Sequence, residues 1–144
     1  MTAPFIMLVD DEESFVETLA KRLKRRNFET IAAFSGKECL ETLKTHQTLD
    51  VIVLDVKMPG MDGIETLKEI RNEYPLIEVV MLTGHATVES GIAGMKLGAH
   101  DFLMKPCDIE ELVGKLEEAT QKKRAHAEKI KDAERKELLM KYEP

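Results

Sequence analysis

A chain of 144 residues accommodates one ordinary domain with a real core and leaves little room for a second. With 43% hydrophobic and 33% charged residues it reads as a folded globular protein, which excludes a disordered or collagen-like chain. The net charge of −6 is uneven: residues 1–120 carry 13 basic against 22 acidic side chains and residues 121–144 carry 8 against 5, so the main body does not suit nucleic acid and the tail reads as a solvated helix face.

The elements follow in chain order. Phe5 to Val9 is a short apolar run, as are Val51 to Leu54 and Val79 to Leu82, each too short for an ordinary helix and rich in β-branched residues, which predicts buried strands. After the first strand, Phe15, Leu19 and Leu23 at four-residue spacing predict a helix, with Glu12 and Glu13 in its opening turn to suit the helix dipole. A weaker strand covers Phe28 to Ala33. The second helix opens on Ser35-Gly-Lys-Glu38, a capping-box pattern, and runs through Leu40 and Leu43. Ile64, Leu67 and Ile70 give a third apolar stripe, ended by Pro75, and Val88, Ile92 and Met95 a fourth, ended by Gly98. A last weak strand covers Asp101 to Met104, and a fifth helix starts near Asp108 with Ile109, Leu112, Val113 and Leu116 on its inner face.

Five strand-then-helix units predict an α/β fold, a doubly wound parallel sheet, with function at the carboxyl ends of its strands. Those ends are chemically specific. Asp10 and Asp11 end strand one, Asp55 strand three, Thr83-Gly84 strand four and Lys105-Pro106 strand five. Three converging carboxylates cannot all stay ionised without a cation, and Mg²⁺ suits oxygen ligands where phosphate is handled. Asp55 is then a nucleophile able to form an acyl phosphate, with Lys105 neutralising charge on the transferring oxygens. Pro59, Gly60 and Gly63 fit a tight turn that leaves this nucleophile exposed.

Asp10-Asp11, the run from Val53 through Asp55 to Gly63, Leu82-Thr-Gly-His-Ala86 and Asp101-Phe-Leu-Met-Lys-Pro106 resemble, in order and register, the receiver domain of two-component response regulators of the chemotaxis-regulator type. The resemblance covers about Phe5 to Thr120 and implies a flavodoxin-like five-stranded sheet in the order 2-1-3-4-5, with residues 1–120 as receiver and 121–144 as a helical extension or linker. It implies that Asp55 is the phosphoacceptor, that Asp11, Asp55 and the Lys57 backbone carbonyl ligate Mg²⁺ with Asp10 acting mainly through water, and that Lys105 and Thr83 bind the phosphoryl group. It also implies that Thr83 and Phe102 form the switch and that the Lys105-Pro106 bond is cis. Lys57 and His85 occupy positions that vary in the family and border the path of attacking water, so they are candidates for tuning hydrolysis. Gly84 is small enough to leave the site open to a donor.

No histidine reads as a donor: His46 ends a helix, His100 sits in a turn and His126 lies in the tail, so a histidine kinase or histidine phosphotransfer protein is implied as partner. The reading is a signalling module and no enzyme beyond its own phosphorylation and dephosphorylation, which signals through helix four, strand five and helix five to an effector the sequence does not name. The alternative is a receiver fragment of a larger transcriptional regulator. A haloacid-dehalogenase-type hydrolase would want an acid where Lys57 stands, and a flavin module would want a phosphate loop where Asp-Asp-Glu-Glu stands. No apolar run nears the length of a membrane span and Met1 to Val9 lacks the marks of a secretory signal, so a cytoplasmic protein without membrane contact is expected. Cys39 and Cys107 are expected to be reduced. From Asp108 to Lys141 only Gly114 opposes a helix, which should project from the domain. Its heptad seam is poor, with Lys123, His126 and Glu137 in core positions, yet this helix or the face of helix four, strand five and helix five could pair two copies.

Overall fold

The computed structural model describes residues 2–56, 62–84 and 88–142, without the side chain of Val88. Five strands, β1 (Phe5–Val9), β2 (Glu29–Ala33), β3 (Val51–Leu54), β4 (Glu78–Thr83) and β5 (Asp101–Met104), alternate with helices α1 (Glu13–Lys24), α2 (Gly36–Leu43), α3 (Gly63–Glu73), α4 (Val88–Lys96) and α5 (Ile109–Lys141). The sheet is parallel throughout, in the order β2-β1-β3-β4-β5. This is the flavodoxin-like arrangement.

The short apolar runs form strands because both of their faces are covered. Met7, Val9, Ile52, Leu54, Val79 and Met81 point to one face, where Cys39, Leu43, Leu67 and Ile70 of α2 and α3 cover them. Their neighbours Ile6, Leu8, Val51, Val53, Val80 and Leu82 point to the other, beneath Val16, Leu19 and Leu23 of α1 and Leu112, Val113 and Leu116 of α5. In α1 the inner face turns on Val16 more than on Phe15, which is only half-buried.

The helix starts are capped by the expected chemistry. Ser35 Oγ accepts from the Glu38 N–H at 3.1 Å, and the Glu38 carboxylate reaches back to the N–H of Phe34 instead of Ser35. Asp62 Oδ1 caps α3 through the Glu65 N–H at 2.9 Å, and Asp108 caps α5.

The stripe on α4 corrects the sequence reading. Ile92 and Met95 are 51% and 46% exposed, and the inward position is Gly94. A Cβ on Gly94 would collide with the sulfur of Met81, and a Cβ on Gly91 would sit 3.7 Å from the Phe102 ring. The helix therefore lies close to the sheet on its glycines and leaves Ile92 and Met95 exposed, as is Met104 of β5.

At the opposite rim, Asp50 and Glu78 open β3 and β4 as buried carboxylates. Arg124 Nε and Nη2 donate to the two Asp50 oxygens at 3.1 and 3.0 Å, while Nη1 and Nη2 donate to the carbonyls of Thr2 and Ala3. Asp50 Oδ2 also accepts the Phe5 N–H at 2.9 Å. Lys123 stands 3.5 Å from Asp50 and Lys122 3.4 Å from Glu78. Three consecutive bases thus fasten α5 to the sheet; beyond them the helix projects with exposed Ile130, Leu138, Leu139 and Met140.

Candidate functional site

The site is built by letting the sheet's hydrogen bonding run one residue past the strands. The Asp10 N–H donates to the Ala33 carbonyl at 3.2 Å, the Asp55 N–H to the Val9 carbonyl at 2.9 Å and the Lys105 N–H to the Thr83 carbonyl at 2.8 Å. Each side chain at the carboxyl edge therefore leaves a backbone already held by its neighbouring strand. Asp10, Asp11 and Asp55 each bring a carboxylate oxygen to within 4.8 Å of the others.

Asp10 and Asp55 are 4% and 3% exposed, and Thr83 is buried, while Asp11 is open to solvent. The expectation of an exposed nucleophile is corrected here: only one member of the acidic group faces water. Asp10 divides its oxygens, Oδ1 accepting the Glu12 N–H at 3.0 Å and Oδ2 accepting from Lys105 Nζ at 2.6 Å. Lys105 Nζ lies 3.9 Å from Glu12 and 4.0 Å from the centre of the Phe15 ring. The Lys105-Pro106 peptide is cis.

Among the described residues, one ammonium stands among three carboxylates, and the carboxylate donors are oxygens. That set fits a hard divalent cation such as Mg²⁺ and is poorly suited to softer metals. Lys57 and His85, singled out for ligation and hydrolysis, lie outside the described residues, as do Pro59 and Gly60.

Gly63 has a sharper role than turn punctuation. It opens α3, its N–H donates to the Val56 carbonyl at 2.7 Å, and a Cβ there would overlap the Asp55 carbonyl oxygen and stand 2.6 Å from Val56 Cα. Only glycine lets α3 start so close to the backbone that carries Asp55. At Gly84, among the described residues, a Cβ would meet the Lys105 stem at 3.9 Å, an ordinary contact.

Sequence reasoning missed two features. Phe15 was read as a core residue of α1, yet its ring supports Lys105. The Asp50–Arg124 pair at the far rim had a signal, an acid directly before a buried strand and a run of three bases on a helix, but no local pattern links positions 74 residues apart. Partial burial pushes the Asp101 carboxyl up, but hydrogen bonds from Lys115 and from the Phe102 N–H outweigh it and hold the group below the usual value of 3.8. Burial pushes the Cys39 thiol up to about 12, and burial with nearby Glu111 and Asp108 raises Cys107, so neither has thiolate character. His46 lies just past the end of α2, bonded to the Thr42 carbonyl, and His100 stands 3.6 Å from Glu118.

Comparison with known proteins places this geometry. Residues 6–117 match the family model of the response regulator receiver domain. The chain belongs to the response regulator receiver family. It is 39% identical over 129 residues to the transcriptional regulatory protein ZraR of Escherichia coli, covering 90% of this chain and 28% of that protein. It is 36% identical over 112 residues to the DNA-binding transcriptional regulator NtrC of Klebsiella pneumoniae, covering 78% and 24% respectively. The receiver thus spans about a quarter of the length of these curated relatives. Among solved structures, the receiver domain of the Francisella response regulator 1452 superposes with a TM-score of 0.76 at 32% identity, covering 82% of this chain and 97% of that one. A receiver from Methanospirillum hungatei superposes at 0.82, covering 87% and 99%, and at 24% identity attests the fold. Receivers are signalling domains of two-component systems that interact with histidine kinases or phosphotransfer proteins, and the family is not one of enzymes in the ordinary sense.

Proposed function

We propose that this receiver takes a phosphoryl group on Asp55 and reports it through α4, β5 and α5. The observation that carries this reading is the convergence of Asp10, Asp11 and Asp55 within 4.8 Å beside Lys105, at the edge of a sheet of this family. An Asp55 carboxylate oxygen attacks phosphorus, the bond from phosphorus to the donor nitrogen breaks, and the donor imidazole keeps the electron pair. The product is an acyl phosphate. A small acyl phosphate serves the same way, its carboxylate leaving with the pair.

Asp10, Asp11 and Asp55, with the Lys57 carbonyl, would hold Mg²⁺, which when bound neutralises charge on the phosphoryl oxygens. Lys105 turns from Asp10 toward those oxygens, and Thr83 donates its hydroxyl to one of them. Phe102, packed over Gly91, then shifts in the space Thr83 vacates. Moving such a switch from 1:99 to 99:1 takes about 5.5 kcal/mol, within reach of a few charge-assisted hydrogen bonds of about 1.5–3 kcal/mol each. The identities of Lys57 and His85, at positions that vary in the family, tune the phosphoryl lifetime in this reading.

A histidine kinase or histidine phosphotransfer protein in the cytoplasm is the donor in this reading. Residues 1–120 form the receiver and 121–144 the helical extension that leads to an effector. The length of ZraR and NtrC favours a place in a larger transcriptional regulator, paired with a second copy through the α4-β5-α5 face or through α5. Incubation with acetyl phosphate and magnesium should add one phosphoryl group by mass to the native protein and none to D55N. A native chain left unmodified sinks the proposal.

A further inference from the structure

From the contact between Lys105 and the half-buried ring of Phe15 we infer that Phe15 is a positioning residue for phosphoryl transfer, a non-competing ledge on which the ammonium pivots between Asp10 and the phosphoryl group. This rests on the reading of Asp55 as phosphoacceptor. Lysine reaches the site on a four-carbon stem with considerable rotamer freedom, and an ammonium left to itself would spend time in bulk water. Here its side chain is 16% exposed. Among the described residues its ammonium lies 2.6 Å from Asp10, 3.9 Å from Glu12 and 4.0 Å from the centre of the Phe15 ring.

The neighbours differ in what they demand. A carboxylate binds the ammonium strongly and holds it where it is. An aromatic face attracts the cation through its quadrupole without taking a hydrogen bond, so the N–H donors stay available for phosphoryl oxygens. Phe15 and Lys105 also line a cavity of about 70 Å³, together with Thr18, Arg22, Leu82 and Cys107 among others. It is slack into which stem and ring can move while keeping contact. The position on the outer part of α1's inner face explains why periodicity assigns Phe15 to the core: the ring completes the helix's apolar stripe and ends at the lysine.

Acetyl phosphate tests this because it has no protein surface to dock, so any loss reports on the site alone. In F15L, the phosphorylation rate at saturating magnesium should fall about five-fold, the factor set by a cation–π contact of about 1 kcal/mol. F15Y, which keeps the ring, should restore it. Independently of phosphorylation, the Lys105 side-chain proton resonances should show ring-current shifts in the native protein and in F15Y and lose them in F15L, with the amide spectrum otherwise native. Should F15L not fold, F15M supplies the ring-free variant. Ring-current shifts lost without a change in rate, or shifts absent from the native protein, overturn the inference. Failure of the native chain to react, with the shifts present, overturns the phosphoacceptor reading instead.

Discussion

Asp55 owes its setting to a neighbour that contributes no side chain. Gly63 lies against the carbonyl of Asp55 and the α-carbon of Val56, both backbone atoms that cannot swing aside. In G63A the start of α3 and the end of β3 must separate, an overpacking cost of about 1–3 kcal/mol, and Asp55 moves relative to Asp10 and Asp11. Chemical denaturation of G63A should show that loss, and labelling by acetyl phosphate should fall more than ten-fold. Gly84 is the contrasting case at the same edge, since among the described residues a methyl there would make ordinary contact with the Lys105 stem. The two glycines look alike in a motif and differ in what surrounds them.

Among the elements, α5 binds the two ends of the molecule. Near its start Glu110 pairs with Arg26, in the turn after α1, at 2.6 Å, a little further on Lys115 meets Asp101 of β5 at 2.9 Å, and beyond the packed turns Lys122, Lys123 and Arg124 meet the acids Glu78 and Asp50 at the start of β4 and just before β3. The exposed pairs contribute little, while Asp50 is buried and relies on its partners. R124A leaves Lys123 as a weaker partner and frees the carbonyls of Thr2 and Ala3. It should cost about 2 kcal/mol by urea titration and raise amide exchange from Thr120 onward. R135A, which loses only an exposed pair within the projecting helix, should change neither.

For the whole molecule, pH dependence can be assigned a sign at one place. Asp101 has a folded pKa below its ordinary value, so its contribution is present above the unfolded pKa of about 4 and disappears as pH falls through the folded one. Its partner Lys115 is raised, chiefly by the hydrogen bond to Asp101, so its contribution is present below an unfolded pKa of about 10 and disappears as pH rises through the folded one. The pair therefore acts across the neutral range and fails at both extremes. Stability of D101N should fall less steeply than that of the native protein as pH drops from about 6 to about 3. An identical slope removes the assignment. Because the pair joins β5 to α5 at their outer surface, added salt should narrow the difference.

Much was legible along the chain. Runs of four or five apolar residues marked the central strands, since a strand covered on both faces has no polar positions to interrupt it. Acids and a lysine at strand ends marked the site, because the carboxyl edge of such a sheet is where unpaired chemistry collects. What the linear order could not supply was the direction of each face. Ile92 and Met95 of α4 point outward because its glycines let the helix sit close to Met81 and Phe102. Phe15 serves a lysine 90 residues away, and Arg124 reaches Asp50 across 74. Periodicity states that a side chain belongs to a stripe; only the packed molecule decides what that stripe meets, since the partner is set by sheet order and helix approach and not by neighbours in sequence.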